Sequence, residues 1–327
     1  MAKKNKMEKE TVNQFVVCGE LLDFTNVKAG TSKTGKEYFK YTMKVETDKK
    51  TGETHDVEFF EMKEAFDGSE NSRYKAMCTA YEKYKTRVED KVGDIVRLNG
   101  RLTTNSYVSQ GEIVNKLILS GSYMTHKDEN NDKEEGYFDP CAIFNGVAFI
   151  DKIEELEDKV VVSALINEYK SKNKGSKGHL VDLIATEKDI IEGVKAMFKE
   201  EMVLPVGAKL VDMVEVVFLD EEKTKELEKK EMVGFGTGLE DIRKYNEWVE
   251  KENERRKVLR EEGLKVHREV LSITGCTSPL SIEEIEEKEL PFEKDDIDEM
   301  FDGVYKIQDD LANELKLQQV SNADVPF

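Results

Sequence analysis

Residues 92–107 read VGDIVRLNGRLTTNSY, and this stretch decides the fold. Its opening Val-Gly-Asp is typical of a turn, and the apolar residues that follow predict a strand over residues 95–102. Another strand is predicted over residues 112–123. Because Gly100 lies inside the first of these strands, where glycine marks a sharp bend, the two strands indicate part of a small closed β-structure.

The residues before this stretch supply the rest of that structure. Strands are predicted over residues 15–24, 38–45 and 56–61, and a helix over residues 72–89. Period-2 alternation puts Phe39, Tyr41, Met43 and Val45 on the inner face of the second strand, and Tyr38, Lys40, Thr42 and Lys44 on its outer face. The order β-β-β-α-β-β, with Gly19 and Gly100 in the first and fourth strands, predicts an OB-fold barrel over residues 12–126.

The whole chain is predicted to be mainly β (α+β) with several parts. A disordered basic arm is expected over residues 1–11, a linker over 127–138, a second OB-like or generic α+β domain over 139–235, a long polar helix over 236–275, and an acidic tail over 276–327. The pattern of the second domain partly repeats that of the first, and both interpretations of it stay open. Inside the tail, residues 297–317 have the spacing of an amphipathic helix.

Cysteine and histidine are too scattered for a thiol-based metal site or a disulfide framework. The cysteines are Cys18, Cys78, Cys141 and Cys276, and no CxxC pair occurs. No apolar run approaches the ~20 residues that span a membrane, and no apolar stretch follows the basic start of the chain. We therefore expect a cytoplasmic protein without metal or cofactor.

Charge is distributed unevenly along the chain. The net charge is −19, but residues 1–127 hold 22 Lys and Arg against 19 Asp and Glu, whereas residues 280–327 hold 15 acids and four bases. The front half is thus mildly basic and the rear strongly acidic. Taken alone, an acidic run is as often a solvated surface as an interaction segment.

Gly30–Lys36 matches the start of a phosphate-binding P-loop, GxxxxGK. Glu37 replaces the Ser or Thr that would bind Mg²⁺, and a strand follows instead of the required helix. A nucleotide site is therefore not expected, and the loop is interpreted as a flexible basic segment that contacts phosphates. No catalytic motif is present, so the sequence predicts no enzyme.

A binder of single strands needs cations for phosphates and aromatic faces for bases. The first domain offers both kinds of side chain on predicted outer positions. The candidate residues are Lys33, Lys36, Tyr38, Lys40, Lys44, Phe59, Phe60, Arg97, Arg101, Tyr107 and Lys116. Phe59 and Phe60 must point in opposite directions, so the sequence leaves open which of them is in the core.

The run over residues 92–107 resembles the strand-four hairpin of bacterial and phage single-stranded DNA-binding proteins. The last residues, Asp324, Val325, Pro326 and Phe327 after an acidic stretch, are similar to that family's partner-binding tip. The resemblance covers about residues 12–124 and the C-terminal end. It departs from the family in lacking tryptophan in the first domain, since Trp248 lies well outside it, and in having residues 141–272.

The resemblance implies a protein that coats and protects single-stranded DNA during replication, recombination and repair, and that recruits partner proteins through its tip. Single-stranded RNA is an alternative ligand, because base stacking does not distinguish the sugars. Two other classes stay open: an acidic protein-interaction or DNA-mimic module, and a nuclease that uses scattered carboxylates, for which no motif speaks. The sequence does not decide between a monomer and a homo-oligomer.

Overall fold

The computed structural model describes residues 12–65, 67–109, 112–128, 133–171, 175–217, 225–229, 237–262 and 264–323. The strands are β1 (Asn13–Thr31), β2 (Glu37–Asp48), β3 (Glu53–Met62), β4 (Ile95–Ser109), β5 (Glu112–His126), β6 (Cys141–Glu155), β7 (Val160–Ser171), β8 (Gly175–Ala185), β9 (Val203–Val217) and β10 (Leu264–Cys276). The helices are α1 (Ser72–Lys83), α2 (Arg87–Asp90), α3 (Lys188–Met197), α4 (Thr237–Glu262), α5 (Ile282–Glu287) and α6 (Lys294–Ala323). The protein is mostly β, as predicted.

The first five strands form a circuit of pairings that returns to its start. β1 pairs with β2, β2 with β3, β4 with β5 and β1 with β4, all antiparallel. A short parallel pairing of β3 with β5 completes the circuit. We call β1–β5, with α1 and α2 between β3 and β4, the first module. The predicted order of elements in this part of the chain is confirmed.

The interior of the first module contains the apolar stripe predicted for the second strand. Phe39, Tyr41, Met43 and Val45 are all buried, and the hydroxyl of Tyr41 donates to the carbonyl of Met77 on α1 at 3.3 Å. The strands approach closely where glycines were predicted to bend them. A Cβ on Gly19 would lie 2.1 Å from the carbonyl oxygen of Glu46, and one on Gly100 would lie 2.0 Å from that of Ser120.

The last five strands repeat the same circuit. β6 pairs with β7, β7 with β8 and β6 with β9, all antiparallel, β8 pairs with β10 in parallel, and β10 lies next to β9. We call this the second module. Of the two interpretations that the sequence left open, the structure has the strand order of the first module rather than an unrelated α+β arrangement.

Details of the register show how closely the second module repeats the first. A bulge follows Leu21 where β1 pairs with β2, and another follows Ile150 where β6 pairs with β7. The amide of Leu21 donates to Asp94 O at 2.9 Å, and that of Ile150 donates to Met202 O at 2.8 Å. Leu21 and Ile150 are therefore equivalent positions. The same registers make Phe15 equivalent to Phe144.

The two modules are joined through their first strands, because β1 pairs antiparallel with β6. Phe15 lies opposite Phe144, which is its equivalent in the second module. The next residue of each strand lies opposite the preceding residue of the other: Val16 opposite Ile143, and Gln14 opposite Asn145. The two strands are thus related by a local twofold axis at the Phe15–Phe144 pair. Side-chain contacts add to this junction, including a hydrogen bond of 3.0 Å between His55 Nδ1 on β3 and the Glu269 carboxylate on β10.

The helix predicted over residues 236–275 is too long. Helix α4 ends at Glu262, and residues Leu264–Cys276 form β10, the strand that lies between β8 and β9 of the second module. The polar sequence around Lys265, Arg268 and Glu269 led to the prediction of a helix here. The buried Leu271 and Ile273, however, alternate as a strand requires. Helix α4 is therefore an insertion between two strands of the second module and not a separate element that follows it.

The segment predicted as an acidic tail is folded over most of its described length. Phe292 and Met300, from the region of α5 and α6, pack with Leu165 and Val203 of the second module in one buried cluster. Asp296 of α6 accepts a hydrogen bond of 2.7 Å from the Ser176 hydroxyl. Helix α6 spans the residues predicted as an amphipathic helix. Among the described helices, none is long and apolar enough to cross a membrane.

The equivalent outer surfaces of the two modules beside β1 and β6 are built differently. In the second module Phe149 and Leu165 contribute to the cluster under α5 and α6. In the first module the equivalent positions are Glu20 and Glu46, and both carboxylates accept hydrogen bonds from Arg87. Glu20 is 3% exposed, and Arg87 donates to it at 2.7 and 3.0 Å.

The buried carboxylate of Glu20 is held in its charged form. The hydrogen bonds from Arg87, helped by Lys49 and the amide of Gly93, lower the pKa of Glu20 from 4.5 to about 2 despite its burial. A carboxylate whose pKa is lower in the folded state than in the unfolded state increases the free energy of unfolding at pH values above its unfolded pKa. This contribution is lost as the pH falls through the pKa of the folded state.

Replacing Arg87→Leu is expected to lower the free energy of unfolding by about 3 kcal/mol at pH 7, because Glu20 stays buried without its main partner. Urea denaturation at pH 7 and at pH 3 checks this, and the variant is expected to lose less stability than the wild type between the two. Lys195→Leu, which breaks the exposed pair with Glu155, is the control and should cost under about 1 kcal/mol. Equal losses in both variants would contradict the assignment.

Candidate nucleic-acid interface

The outer surface of β2 and β3 presents an aromatic pair. Tyr38 and Phe60 lie with ring centroids 5.5 Å apart and ring planes 34° from parallel. Phe60 is 52% exposed. Lys40 lies directly opposite Phe60 in the strand register and is also exposed. Two aromatic faces and a cation therefore share this surface, as the period-2 pattern of β2 predicted.

Strand β1 extends the same surface, and the sequence did not reveal this. The strand continues to Thr31, well past its predicted end, and places Lys28 opposite Lys40 and Gly30 opposite Tyr38. A Cβ on Gly30 would lie 2.9 Å from the Tyr38 hydroxyl, so the tyrosine ring lies over this glycine. Lys28 is exposed and was missing from the predicted residues. We call Lys28, Tyr38, Lys40 and Phe60 the aromatic–lysine face.

The turn between β1 and β2 carries Lys33 and Lys36 at one end of this face. It is a defined turn rather than a flexible loop: the Ser32 amide donates to Lys36 O at 2.8 Å, and the Lys36 amide donates to Ser32 Oγ at 3.1 Å. Gly35 adopts φ +79°, a conformation that glycine accepts without strain. Two antiparallel strands flank the turn, so the P-loop-like sequence lacks the helix that would bind a nucleotide phosphate.

The other end of the same surface is acidic. Lys44 of β2 lies between Asp23 of β1 and Asp56 of β3 in the register, and Glu58 is exposed two residues further along β3. Lys44, which was predicted to contact phosphate, therefore has carboxylates across from it on both sides. Apart from Lys44, the cations and aromatic rings described on this surface lie in the half nearest the β1–β2 turn.

Phe59 was predicted as a candidate for base stacking, and this is wrong. It is 3% exposed, and its ring packs so closely on β5 that a Cβ on Gly121 would lie 2.4 Å from it. The alternation along β3 sends adjacent phenylalanines to opposite sides, so burial of Phe59 accompanies exposure of Phe60. Sequence alone could not choose between them.

The remaining predicted residues lie on β4 and β5, away from the aromatic–lysine face. Strand β1 separates β4 from β2 on one side, and β5 and β3 separate them on the other. Tyr107 is 40% exposed near the end of the β4–β5 hairpin, and Lys116 is exposed opposite Asn105. Arg101 is exposed and donates to the Glu168 carbonyl of the second module at 3.2 Å.

Arg97 has a structural environment. Its guanidinium donates to the carbonyl of Tyr137 at 2.9 Å and lies 4.7 Å from the centroid of that ring. It also lies beside Cys18 and Cys141, which face each other across the β1–β6 pairing. Burial raises the pKa of Cys18 to about 11, although Arg97 acts in the opposite direction. The predicted phosphate contact of Arg97 conflicts with these contacts inside the chain.

A second aromatic–cation contact lies on α1 and β5. Tyr123 is 62% exposed, and the guanidinium carbon of Arg73 lies 5.2 Å from its ring centroid. Sequence reasoning missed this pair because its members are brought together only by the packing of α1 against the sheet. The predicted tip, Asp324 to Phe327, lies outside the described residues. Within the described residues, no group of three or more His, Cys, Asp or Glu side chains could hold a metal ion.

The fold and this surface define a mostly β protein made of two repeated five-strand modules, the first of which carries an exposed aromatic–lysine face. The chain belongs to the YorF family, whose profile matches residues 11–254. A search of curated proteins gave no match.

Among solved structures, the chain is similar to a deletion variant of the single-stranded DNA-binding protein from Thermus aquaticus, at 11% identity and a TM-score of 0.39, over 84% of this chain and 97% of that one. The wild-type Thermus aquaticus protein matches at 12% identity and a TM-score of 0.38, over 62% and 87% of the two chains. A Plasmodium falciparum SSB in complex with single-stranded DNA matches at 14% identity and a TM-score of 0.23, over 37% and 100%.

Proposed function

We propose that the chain binds single-stranded nucleic acid, DNA in the first place, on the aromatic–lysine face. The observation that carries this proposal is the pair of the half-buried Tyr38 and the exposed Phe60, with Lys40 directly across from Phe60. Single exposed hydrophobic residues are ordinary on protein surfaces, but two adjacent rings among lysines are the arrangement that single strands need.

Each kind of side chain has a separate task in this proposal. Tyr38 and Phe60 stack on bases, and each base–aromatic contact contributes about 1–3 kcal/mol. Lys28 and Lys40 on the strands, with Lys33 and Lys36 at the turn, neutralise phosphates. Because every base has a flat π-face, such a surface binds strands with little preference for sequence.

We infer further that each module is an OB barrel. Five strands pair in a circuit, the third and fifth of them in parallel, and a helix lies between the third and fourth strands in both modules. The close backbone approaches at Gly19 and Gly100 support this inference, because glycine permits the sharp bends that a small barrel needs. In OB-folds the outer surface around the second and third strands is a common binding surface for oligonucleotides.

The wider role that we propose is coating and protecting single-stranded DNA in the cytoplasm during replication, recombination and repair. The chain would act without catalysis or cofactor and recruit partner proteins through residues Asp324–Phe327. At this tip Phe327 offers an apolar side chain, Asp324 offers an anion, and Pro326 limits the entropy lost on docking. Single-stranded RNA is the alternative ligand.

The double variant Tyr38→Ala, Phe60→Ala is expected to weaken binding of labelled oligo-dT by at least tenfold, because two stacking contacts are lost. Fluorescence anisotropy measures this, with duplex DNA as the competing ligand. Tyr305→Ala is the matched control, since Tyr305 on α6 is equally exposed at 52%. An affinity for oligo-dT that is the same in the double variant and the control would refute the assigned surface.

Replacing Lys28, Lys33, Lys36 and Lys40 with glutamine is expected to flatten the salt dependence of binding. Each phosphate contact on a single strand contributes about −0.7 to the slope of log K against log salt, so the slope should change by about 3. Anisotropy titrations across a salt series give both slopes. If the wild type binds no oligo-dT even at low salt, the acidic protein-interaction module becomes the better interpretation.

Deletion of the last six residues is expected to abolish capture of replication or repair proteins on an affinity resin while leaving oligo-dT binding unchanged or stronger. Phe327→Ala in the full chain is the finer variant and should lose partner capture as well. Urea denaturation checks both proteins, because lost stability would show that the end of the chain has a packing role instead.

A further inference from the structure

One face of helix α4 holds the segment 225–229. Val249 is completely buried on this face. The side-chain amide of Asn253 accepts from the Leu227 amide at 2.8 Å and donates to the Leu227 carbonyl at 2.9 Å, and Arg256 donates to Lys225 O at 2.6 Å. These contacts fix the orientation of the helix relative to this segment.

The opposite face of α4 carries a stripe of exposed side chains. Its members are Lys244, Trp248, Lys251, Arg255 and Val258, spaced alternately four and three residues apart, so they lie in one row on the side of the helix away from Val249. Trp248 is 52% exposed and Val258 49%. The ring of Tyr245 lies 5.8 Å from that of Trp248 at an angle of 40°. We call this row the α4 stripe.

The stripe combines three cations with an exposed tryptophan, which suits a ligand that carries both several negative charges and flat apolar rings. Three cations are spread over roughly 16 Å of helix, at 1.5 Å per residue, with the tryptophan between them. Lys244 pairs with Glu240 at 3.4 Å and Arg255 with Glu252 at 3.2 Å. Exposed pairs of this kind contribute little, so a phosphate can replace either carboxylate.

A second copy of the chain fits the stripe less well. The spacing of four and three residues resembles a coiled-coil seam, but such a seam requires apolar side chains, whereas three of these five positions are cations. Two such helices packed together would bring like charges into a desolvated contact.

We propose that the α4 stripe is a second contact site for single-stranded nucleic acid. Trp248 stacks on a base, while Lys244, Lys251 and Arg255 neutralise phosphates. The choice of ligand rests on the proposed function, but the site is distinct from the aromatic–lysine face and has its own readout.

Trp248 is the only tryptophan in the chain, so intrinsic fluorescence reports on the stripe alone. Titration of the full chain with unlabelled oligo-dT is expected to quench the tryptophan emission in proportion to binding. Trp248→Ala should weaken binding by about fivefold or more, and Trp248→Phe should retain most of the affinity, because stacking needs an aromatic face.

The charge of the stripe is tested separately. Replacing Lys244, Lys251 and Arg255 with glutamine is expected to reduce the salt slope of binding by about 2, at about 0.7 per phosphate contact. The matched control replaces Lys199, Arg243 and Lys257, three exposed cations outside the stripe, and should leave the slope unchanged.

The outcomes separate this proposal from the first one. Oligo-dT binding by anisotropy without any change in tryptophan emission would overturn the α4 stripe and leave the aromatic–lysine face intact. Quenching that persists with full affinity in the Tyr38→Ala, Phe60→Ala variant would support the stripe and overturn the first site. Equal quenching by polyglutamate would show an acidic partner rather than a nucleic acid, and would also overturn the proposal.

Discussion

The structure depends on the bend in strand β1. Before Gly19 the strand pairs with β4 on one side and with β6 on the other, and after Gly19 it pairs with β2. A side chain at residue 19 would collide with the Glu46 carbonyl, so only glycine allows the close crossing at which the strand changes partners. One strand therefore pairs with two strands of the first module, attaches the second module, and continues past Gly19 to place Lys28 beside Lys40.

The repeated backbone makes the differences between the modules informative. At equivalent positions the first module has a carboxylate pair held by Arg87, and the second has Phe149 and Leu165 beneath α5 and α6. In the second module, the surface around Phe149 and Leu165 is covered by α5 and α6. In the first module the Tyr38–Phe60 pair lies nearer the opposite end of β2 from Glu46, with Phe60 exposed. The same backbone therefore carries a surface covered by helices in the second module and an ion-pair cluster in the first.

Local patterns predicted local features well. The alternation along β2 correctly predicted its buried inner side chains and the exposed Lys40, because a period of two depends only on the strand itself. It did not predict that Thr42, expected on the outer face, is buried. Features set by distant parts of the chain were missed. The strand order places Arg97 and Arg101 of β4 away from Tyr38 of β2. The insertion of α4 puts β10 far along the sequence from the other strands of the second module. The choice between Phe59 and Phe60 needed the register of β3, which no local pattern supplies.

A net charge of −19 does not oppose binding of a polyanion on the surfaces described here. At 0.1 M salt the field of an exposed charge is screened beyond about 10 Å, so a phosphate senses the side chains around it rather than the sum over the chain. On β1–β3 the acids Asp23, Asp56 and Glu58 lie around Lys44 at one end of the surface, whereas Lys28 and Lys40 lie nearer the other end. In the binding proposed above, the distant acids would slow association by long-range repulsion at low salt. Since that repulsion is itself screened, added salt has two opposed effects: it speeds encounter while weakening the lysine–phosphate contacts. The slope of affinity with salt therefore contains both effects, and the difference in slope between the wild type and a variant that lacks the lysines isolates the contribution of the local phosphate contacts.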